Sequence, residues 1–366
     1  MSKRVFNWGW YGFENFGDDL LQNTMMEKLT SAGIMVVFPM EKANEELQAE
    51  QVSRSYKELF LQAKACDALI VGPGGLFPFT NLKKLLVFYA AVLCWKMKKR
   101  KVLFFGIGIS KRIDDLSRLL WKRIISHSDL FFTRSEGFLN AVGVKETETV
   151  QTMADTAFAS DVTVPCDDSD EKSVAVVVAN LFKEEDVEPY QKSIAVWRKV
   201  CVTLLHEGYN LDLIAFTKGK DDMMIRDIMK SIKLPDNIGG GVQLVQYSEV
   251  SDAVAKWNHY EQVICMRFHS LVLSVLANVP ALPIAYGHKT ASLAEACGLG
   301  EFLLYWNPAE KNYFGDLVST DAQSIIGIFH TIERNSDQVR LNMGEARKRL
   351  MDSSNAAVRV LLDNIR

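Results

Sequence analysis

Residues 261–277 read EQVICMRFHSLVLSVLA, and the architecture of the chain is best approached from this stretch. Residues 261–264 have the pattern of a short strand, and residues 271–277 form an apolar run that suits a helix. Arg267 and His269 therefore fall where a strand ends and a helix begins. In an open α/β sheet, ligands bind at the carboxyl ends of the strands, and the start of a helix favours an anion. A fixed cation and a titratable imidazole at this place suit a phosphorylated or carboxylated substrate.

Length and composition indicate a soluble globular protein with two domains. The chain has 366 residues, 48% hydrophobic and 24% charged, and its mean hydropathy is 0.00. This is too long for one ordinary core. The net charge of −3 and the pI of about 6.1 give no basic bias towards nucleic acid. The longest apolar stretch, residues 85–95, is shorter than the roughly 20 residues that span a bilayer, and the amino terminus has no signal-peptide pattern. We therefore expect a cytoplasmic protein that binds no nucleic acid.

Neither cysteines nor acidic residues form a metal-binding pattern. The six cysteines are scattered without a CxxC pair, which predicts reduced thiols rather than disulfides or a zinc site. The acidic run at residues 164–171 is interpreted as a solvated linker between domains. The basic run KMKKRK at residues 96–101 is interpreted as a solvated helix end, with contact to an anionic membrane at the inner face of the plasma membrane as the alternative.

Strand, loop and helix alternate through the first part of the chain. Strands are predicted at residues 4–8, 34–38, 68–71, 102–105 and 129–133, and helices near residues 18–30, 47–64, 81–97 and 115–127. This alternation predicts a doubly wound, mostly parallel sheet. Glycines are expected to form turns at the strand ends, and those at residues 72–76 and 106–108 would let the backbone approach a ligand closely.

The same pattern restarts after the linker. Strands are predicted at residues 174–179, 211–216, 242–246, 261–264 and 281–285, and helices near residues 190–207, 221–231, 250–257, 321–334 and 336–365. We predict two Rossmann-like doubly wound domains, residues 1–165 and 170–335, that face a cleft as in GT-B transferases. By analogy with that fold, the C-terminal helix at residues 336–366 is expected to cross back onto the first domain.

Seven motifs, in order along the chain, resemble those of the polysaccharide pyruvyl transferase family. They are Gly12–Asp18, Gly72–Leu76, Gly106–Gly108, Thr133–Glu136, Ala154–Phe158, Met266–Ser270 and Tyr286–Lys289. The chain departs from the family pattern at Phe104, where the family has glycine, at Thr156, where it has proline, and at Phe268, where it has leucine. Two further changes, Gly287 and His288, fall in the last motif. These changes bear on the acceptor sugar more than on the reaction class.

The resemblance implies transfer of a pyruvyl group from phosphoenolpyruvate to a sugar of an envelope, capsular or exopolysaccharide precursor. A cyclic ketal forms and phosphate leaves, with phosphoenolpyruvate as co-substrate and no metal or organic cofactor. The acceptor is expected to be lipid-linked or nucleotide-linked. The alternative enzyme is a GT-B glycosyltransferase that uses a nucleotide sugar, although the second domain shows no convincing ribose-binding carboxylate. A non-catalytic glycan-binding module is the third hypothesis, and a homo-oligomer is left open.

The resemblance and the chemistry of the donor together suggest a set of site residues. The guanidinium groups of Arg267 and Arg134 match the donor's carboxylate and phosphate, and His269 is the predicted general acid. The remaining donor contacts are predicted at Lys289, Phe268, Gly74 and Gly75, and the acceptor contacts at Asp18, Asn15, Trp10 and Asp155, with Asp18 also catalytic. Structural roles compete with several of these: ion pairing for the two arginines, helix capping for Asp18 and turn formation for Asp155. For Lys289 a structural role is favoured, because the residues beside it depart from the family pattern.

Overall fold

The chain forms two compact units, each built on its own parallel sheet. The computed structural model describes residues 2–44, 47, 49–77, 82–109, 113–135, 137–161, 172–232, 240–247, 250–306 and 320–366. One unit comprises Met1–Asp161 with Leu350–Arg366, and the other comprises Val162–Arg349. The predicted linker at residues 164–171 lies outside the described residues.

The first unit contains a sheet of eight strands among the residues described. These are β1 Arg4–Trp8, β2 Met35–Met40, β3 Glu50–Ser53, β4 Ala68–Val71, β5 Gly74–Phe77, β6 Lys101–Ile109, β7 Leu130–Thr133 and β8 Val150–Thr152. They pair in parallel in the order β3-β2-β1-β4-β6-β7-β8, with β5 beside β6. The chain moves outward from β1 to β3 and then returns to β4 on the other side of β1. The switch point, where such sheets bind ligands, therefore lies between β1 and β4.

Helices cover both faces of this sheet. They are α1 Phe16–Ser31, α2 Glu58–Leu61, α3 Leu82–Met97, α4 Asp115–His127 and α5 Phe138–Val142, with 3-10 helices at Gln62–Lys64 and Thr156–Ala159. One apolar cluster joins the sheet to Trp95 of α3 and Trp121 of α4, and a second joins it to Leu29 of α1. Because both faces are covered, β4 is buried along its whole length.

The second unit has the same kind of sheet. Its described strands are β9 Ser173–Val177, β10 Asn210–Ile214, β11 Val242–Val245, β12 Gln262–Cys265, β13 Ala281–Ala285 and β14 Leu304–Tyr305. They pair in parallel in the order β11-β10-β9-β12-β13-β14. The switch point lies between β9 and β12, so the predicted Arg267 and His269 follow one of its two strands.

Seven helices among the described residues follow these strands. They are α6 Val187–His206, α7 Asp221–Ser231, α8 Val250–Trp257, α9 Phe268–Ala277, α10 His288–Ala296, α11 Ala322–Arg334 and α12 Ser336–Ile365, with a 3-10 helix at Gly300–Phe302. The last helix begins in the second unit and ends in the first, where Ala357, Val358, Leu361 and Ile365 join the apolar core. The predicted fold class, two parallel-sheet α/β domains with a returning C-terminal helix, is confirmed.

The prediction of one helix over residues 47–64 is wrong. Residues 50–53 form β3, which pairs with β2 so that Gln51 stands opposite Phe38, and only residues 58–64 are helical. The local spacing of apolar residues suited a helix. Pairing with β2, which is distant in sequence, supplies the backbone partners that the local pattern could not reveal.

The glycines predicted as simple turns also lie partly within the sheet. Gly106 and Gly108 are inside β6, which continues to Ile109, and Gly74 begins the short strand β5. The register of β6 against β7 shifts between Phe104 and Ile107, where Gly106 has a φ of 60°. Glycine at this irregularity lets the strand continue through a backbone conformation that other residues rarely adopt.

Candidate functional site

Arg267 lies at the switch point of the second unit and binds a buried carboxylate. It is the N-cap residue of α9 and lies two residues beyond the end of β12. Its Nε donates to Oδ2 of Asp221 at 3.0 Å, and its Nη2 donates to Oδ1. The Arg267 side chain is 18% exposed and that of Asp221 is 0% exposed. This two-point pair fixes the orientation of the guanidinium plane.

Asp221 is in turn held by backbone groups from two neighbouring loops. Its Oδ1 accepts from the N–H of Asn180 at 2.9 Å, and its Oδ2 accepts from the N–H of Thr217 at 2.9 Å. These loops follow β9 and β10, so three strand ends converge on one carboxylate. Sequence analysis missed Asp221. Aspartate is common in the first turn of a helix because it stabilises the helix. The position of Asp221 in the sequence therefore did not indicate a role in the site.

Tyr286 brings a third group to Arg267 from the end of β13. Burial alone would lower the pKa of the Arg267 guanidinium, but the Tyr286 hydroxyl and the Asp221 carboxylate outweigh burial and raise that pKa above its ordinary value. The site therefore keeps a permanent cation in a mostly buried place. Such a cation is well suited to bind an anionic ligand group.

His269 occupies the first turn of α9, two residues beyond Arg267. Its side chain is half-buried, and the Phe268 ring meets the imidazole edge to face, with centroids 5.1 Å apart. The preceding thiol, Cys265, is buried, and burial raises its pKa to about 12. Cys265 is therefore not a thiolate nucleophile near neutral pH. The Arg267 guanidinium and the His269 imidazole are the polar side chains of this segment that we consider for action on a ligand.

Lys289 stands at the start of the next helix along the same edge. It is the second residue of α10 and is exposed. Strand β13, which precedes it, pairs with β12, so α9 and α10 begin side by side. The structure thus brings the predicted Arg267, His269 and Lys289 to one edge of one sheet, while their roles towards a donor stay predictions.

In the first unit, Asn15 and Asp18 lie at the start of α1, just beyond β1. Asn15 is the N-cap residue, and its Oδ1 accepts from the N–H groups of Gly17 at 3.0 Å and of Asp18 at 3.3 Å. Asp18 is half-buried and lies beside Gly74, where an added Cβ would be 3.5 Å from Asp18 Oδ1. Asp18 and Gly74 therefore meet at the switch point. Acceptor binding by Asn15 and Asp18 stays a prediction.

Asp19 is a titratable group that sequence analysis did not assign to the site. Burial, with a smaller contribution from Glu14, raises the pKa of the Asp19 carboxyl to about 6. A carboxyl group with this pKa can hold or release a proton close to neutral pH. In the sequence, Asp19 looks like an ordinary acidic residue in the first turn of a helix, and its burial becomes visible only in the folded chain.

Arg54 is the cation that sequence analysis missed in this unit. It follows β3, and its Cζ lies 4.4 Å from the centroid of the Trp10 ring and 5.3 Å from that of Phe13. Burial lowers the pKa of the Arg54 guanidinium, against the charges of Tyr56, Glu41 and Asp18. Because residues 47–64 were predicted to form one helix, Arg54 was not recognised as a residue at the end of a strand.

Trp10 is exposed beside this cation. Its ring stacks on Phe13 with centroids 4.2 Å apart and an angle of 13° between the planes, and the residue is 38% exposed. An exposed, rigidly held indole is suitable for contact with the apolar face of a sugar. The predicted role of Trp10 in acceptor binding stays a prediction.

Arg134 and Asp155 form a buried ion pair within the first unit. Nη1 of Arg134 donates to Oδ2 of Asp155, and the two side chains are 8% and 3% exposed. Asp155 also caps the 3-10 helix that follows it by accepting from the N–H of Ala157 at 3.0 Å. Gly108 lies against the pair, since a Cβ there would be 3.2 Å from Arg134 Nε. Two residues predicted to contact different ligands are thus brought together, and both ligand contacts stay predictions.

Metal sites and membrane spans are both absent from the described residues. No group of three or more His, Cys, Asp or Glu side chains in this part of the chain is placed to hold a metal ion. In the same residues, every helix is too short or too polar to cross a membrane.

The family model for polysaccharide pyruvyl transferases matches residues 15–288, which is 274 of the 366 residues. The chain belongs to the polysaccharide pyruvyl transferase family. The match extends from Asn15 through Arg267 and His269 to His288, so it includes Asp18, Asp221, Arg267 and His269, whereas Trp10 and Lys289 lie just outside it. The resemblance seen in the motifs is confirmed. No curated protein sequence matches this pyruvyl transferase family member.

Solved structures share the fold of this family member over nearly its whole length at low sequence identity. A glycosyltransferase from Rickettsia africae ESF-5 is 11% identical with a TM-score of 0.61, covering 100% of this chain and 98% of that one. UDP-GlcNAc 2-epimerase from Neisseria meningitidis, bound to UDP-GlcNAc, is 13% identical with a TM-score of 0.57, covering 99% and 100%. Spinosyn Forosaminyltransferase SpnP is 10% identical with a TM-score of 0.58, covering 100% of both chains. At this identity the similarity establishes the GT-B-like fold alone.

Proposed function

We propose that this protein transfers the pyruvyl group of phosphoenolpyruvate to two hydroxyls of a sugar in an envelope, capsular or exopolysaccharide precursor. The observation that carries the proposal is the Arg267 cluster, which lies inside the family-matched segment. There, the Arg267 guanidinium, which is held by two hydrogen bonds to Asp221, stands two residues before the imidazole of His269. The proposed acceptor is lipid-linked or nucleotide-linked, and phosphoenolpyruvate is the co-substrate.

Arg267 is the proposed anchor for the donor. Phosphoenolpyruvate carries a carboxylate and a phosphate, and a guanidinium binds either group through two parallel hydrogen bonds. Two N–H groups of Arg267 bind Asp221, so the donor would be bound by others of its five N–H groups. The start of α9 adds backbone N–H groups that favour an anion. Lys289 at the start of α10 is proposed to offset the charge of the departing phosphate.

The proposed reaction begins with a proton. His269 gives a proton to the methylene carbon of the donor, which becomes a methyl group, and the adjacent carbon becomes electrophilic. One sugar hydroxyl forms a bond to that carbon and loses its proton. The bond from the same carbon to the phosphate oxygen then breaks, and the oxygen keeps the electron pair. A second hydroxyl forms the other ketal bond; of the two protons released by the hydroxyls, one restores His269 and the other leaves on the phosphate.

The acceptor is proposed to be recognised through residues of the first unit. Trp10 would stack on a sugar face, and Asp18 would orient a hydroxyl or accept its proton. Arg54, beside Trp10, would suit an anionic group of the acceptor, such as the phosphate of a lipid-linked or nucleotide-linked sugar. Donor contacts by Arg134, Phe268, Gly74 and Gly75, and acceptor contacts by Asn15 and Asp155, stay predictions.

Thermal unfolding with and without phosphoenolpyruvate tests the donor assignment. A ligand at about 100 times its Kd stabilises the folded state by roughly 2.7 kcal/mol. We expect this stabilisation in the wild type and in His269→Ala, which should bind the donor but form no ketal. It should be lost in Arg267→Gln combined with Asp221→Asn, a pair of changes that leaves no carboxylate buried without its partner. Arg198→Gln, at an exposed position on α6, is the matched control and should behave as wild type.

Two outcomes would contradict the proposal. If His269→Ala forms ketal at the wild-type rate, His269 is not the general acid. If phosphoenolpyruvate gives no stabilisation with or without an acceptor glycan while a nucleotide sugar does, the glycosyltransferase alternative takes its place. That alternative is supported only by the shared fold.

A further inference from the structure

An exposed apolar groove lies between α3 and α4, and none of its lining residues is among those assigned to the donor or the acceptor. It encloses about 300 Å³ and is lined by Leu82, Leu86, Leu116, Leu119, Leu120 and Arg123. Leu86, Leu116 and Leu119 are 50%, 56% and 62% exposed. Leucines exposed to this extent in one continuous patch indicate an interaction surface rather than scattered surface residues.

The apolar surface continues along the length of α3. Residues 82, 86, 90, 93 and 97 are spaced by three or four positions, which places them on one face of the helix. They are leucine, leucine, alanine, leucine and methionine, and Met97 is 79% exposed. The groove and this stripe, together called the α3–α4 face, therefore extend over a helix of 16 residues.

Basic side chains surround the α3–α4 face. Residues 82–101 contain seven Lys or Arg and no Asp or Glu. Lys96 and Lys101 pair with Asp129, and Arg100 pairs with Asp67. Exposed positive charge nonetheless borders the apolar surface at Lys83, Lys98, Lys99 and Arg123. On α4, the nearby Asp115 is paired with Arg118.

We propose that the α3–α4 face docks the first unit onto an anionic lipid bilayer. Apolar side chains on one face of a helix enter the boundary between headgroups and acyl chains, and the flanking cations meet anionic headgroups. A second copy of this chain fits less well, because a two-fold interface would bring two positively charged surfaces together. The inference goes beyond the proposed pyruvyl transfer and needs neither donor nor acceptor to be tested.

Sedimentation with lipid vesicles tests the docking. The wild type should pellet with vesicles of equal parts phosphatidylglycerol and phosphatidylcholine, bind pure phosphatidylcholine far less, and be released as salt is raised. The triple variant Leu86→Gln, Leu116→Gln, Leu119→Gln should lose binding to the mixed vesicles. The triple variant Lys83→Gln, Lys98→Gln, Arg123→Gln should bind them about a hundredfold more weakly, since each charge near the surface is worth roughly a fivefold change.

Matched controls separate docking from general effects of the changes. The first control is a triple variant at leucines outside the α3–α4 face, Leu61→Gln, Leu181→Gln, Leu341→Gln. These three leucines are 41%, 38% and 56% exposed. The second control removes three positive charges outside that face, in the triple variant Lys183→Gln, Lys192→Gln, Lys230→Gln. These lysine side chains are 76%, 67% and 77% exposed. Both control variants should bind vesicles as the wild type does. Thermal melting should show that all four triple variants remain folded, because every position replaced is exposed.

Three results would overturn the proposal. The first is a wild type that stays in the supernatant with anionic vesicles. The second is a control variant that loses as much binding as its matched test variant. The third is a dimer, seen by analytical ultracentrifugation, that the leucine variant abolishes while no form binds vesicles. That result would assign the α3–α4 face to a second copy of the chain.

Discussion

Arg267 and Asp221 depend on one another at the scale of single residues. The carboxylate is fully buried and receives two N–H groups of the guanidinium. Replacing Asp221 with Asn keeps the shape but leaves a mostly buried cation without its counter-charge. We expect a loss of about 3–5 kcal/mol in the free energy of unfolding, measured by urea denaturation. Calorimetric titration with phosphoenolpyruvate should show weaker binding, because the guanidinium is no longer held in one orientation.

The control for this change is Asp363→Asn. Asp363 pairs with Arg366 at the surface, and the two side chains are 72% and 64% exposed. Its loss should alter stability by less than about 0.5 kcal/mol. If Asp221→Asn were equally mild, the ion pair would not be what holds Arg267.

Asp19 gives the first unit a pH-dependent stability. The pKa of its carboxyl rises from 3.8 to about 6 in the folded protein, so the folded state binds more protons than the unfolded state between these values. Stability therefore falls as pH rises from about 4 to 6. Asp19→Asn removes this loss, and we expect it to be more stable than the wild type above pH 6 by up to about 3 kcal/mol, with no difference below pH 4.

Urea denaturation at a series of pH values measures this effect. Asp115→Asn is the matched control, because Asp115 also lies in the first turn of a helix but its side chain is 92% exposed. It should give no comparable gain at high pH. A difference between Asp19→Asn and wild type that is constant across the pH range would show that ionisation of Asp19 is not its cause.

At the scale of elements, the irregularity in β6 requires glycine at position 106. Its φ is +60°, and a Cβ there would lie 2.1 Å from Thr156 Oγ1 and 3.1 Å from Pro73 Cβ. Gly106→Ala combines backbone strain with a steric overlap, so we expect a loss of more than about 3 kcal/mol in the free energy of unfolding.

Gly33→Ala isolates the contribution of the backbone. Gly33 has a φ of +74° but nothing within 4 Å of an added Cβ, so only strain should appear, at about 1 kcal/mol. Thermal or urea unfolding of the two variants, compared with wild type, measures the difference. Equal losses at the two positions would mean that Thr156 moves aside and that the packing around Gly106 is not tight.

At the scale of the whole molecule, α12 gives the first unit part of its core from the end of the chain. Leu361 is 1% exposed within the apolar cluster that includes Leu29. Leu361→Ala should cost about 2–5 kcal/mol by leaving a cavity. Hydrogen exchange should become faster in the first unit, for example in β7, and change far less in β12 of the second unit.

Leu341→Ala is the control on the same helix. Leu341 is 56% exposed and belongs to the second unit, so the change should affect stability by less than about 0.5 kcal/mol. If Leu361→Ala accelerated exchange equally in both units, the two would unfold as one cooperative body rather than separately.

Much of the fold follows from local patterns in the sequence. The apolar run of β4, the switch from strand to helix at Arg267 and the caps of the helices all depend on residues within one or two turns of each other. These patterns predicted β1, α4, α7 and α12 with the bounds that the structure has. They also placed Arg267 and His269 at a strand end, because the patterns of successive segments give the order of strand, loop and helix.

Tertiary structure alone decided which residues the site residues meet. Arg267 and Asp221 are 46 positions apart, and Arg134 and Asp155 are 21 apart, so no local pattern predicts either pair. Strand β3 exists because β2 lies beside it, and its end is what brings Arg54 to Trp10. Burial raises the pKa of the Asp19 carboxyl, and the position of Asp19 in the sequence does not predict that burial. Sequence determined most of the helices and strands because helical hydrogen bonding and apolar periodicity are local. Partners, burial and charge environment, like the pairing that forms β3, arise only when distant segments pack together.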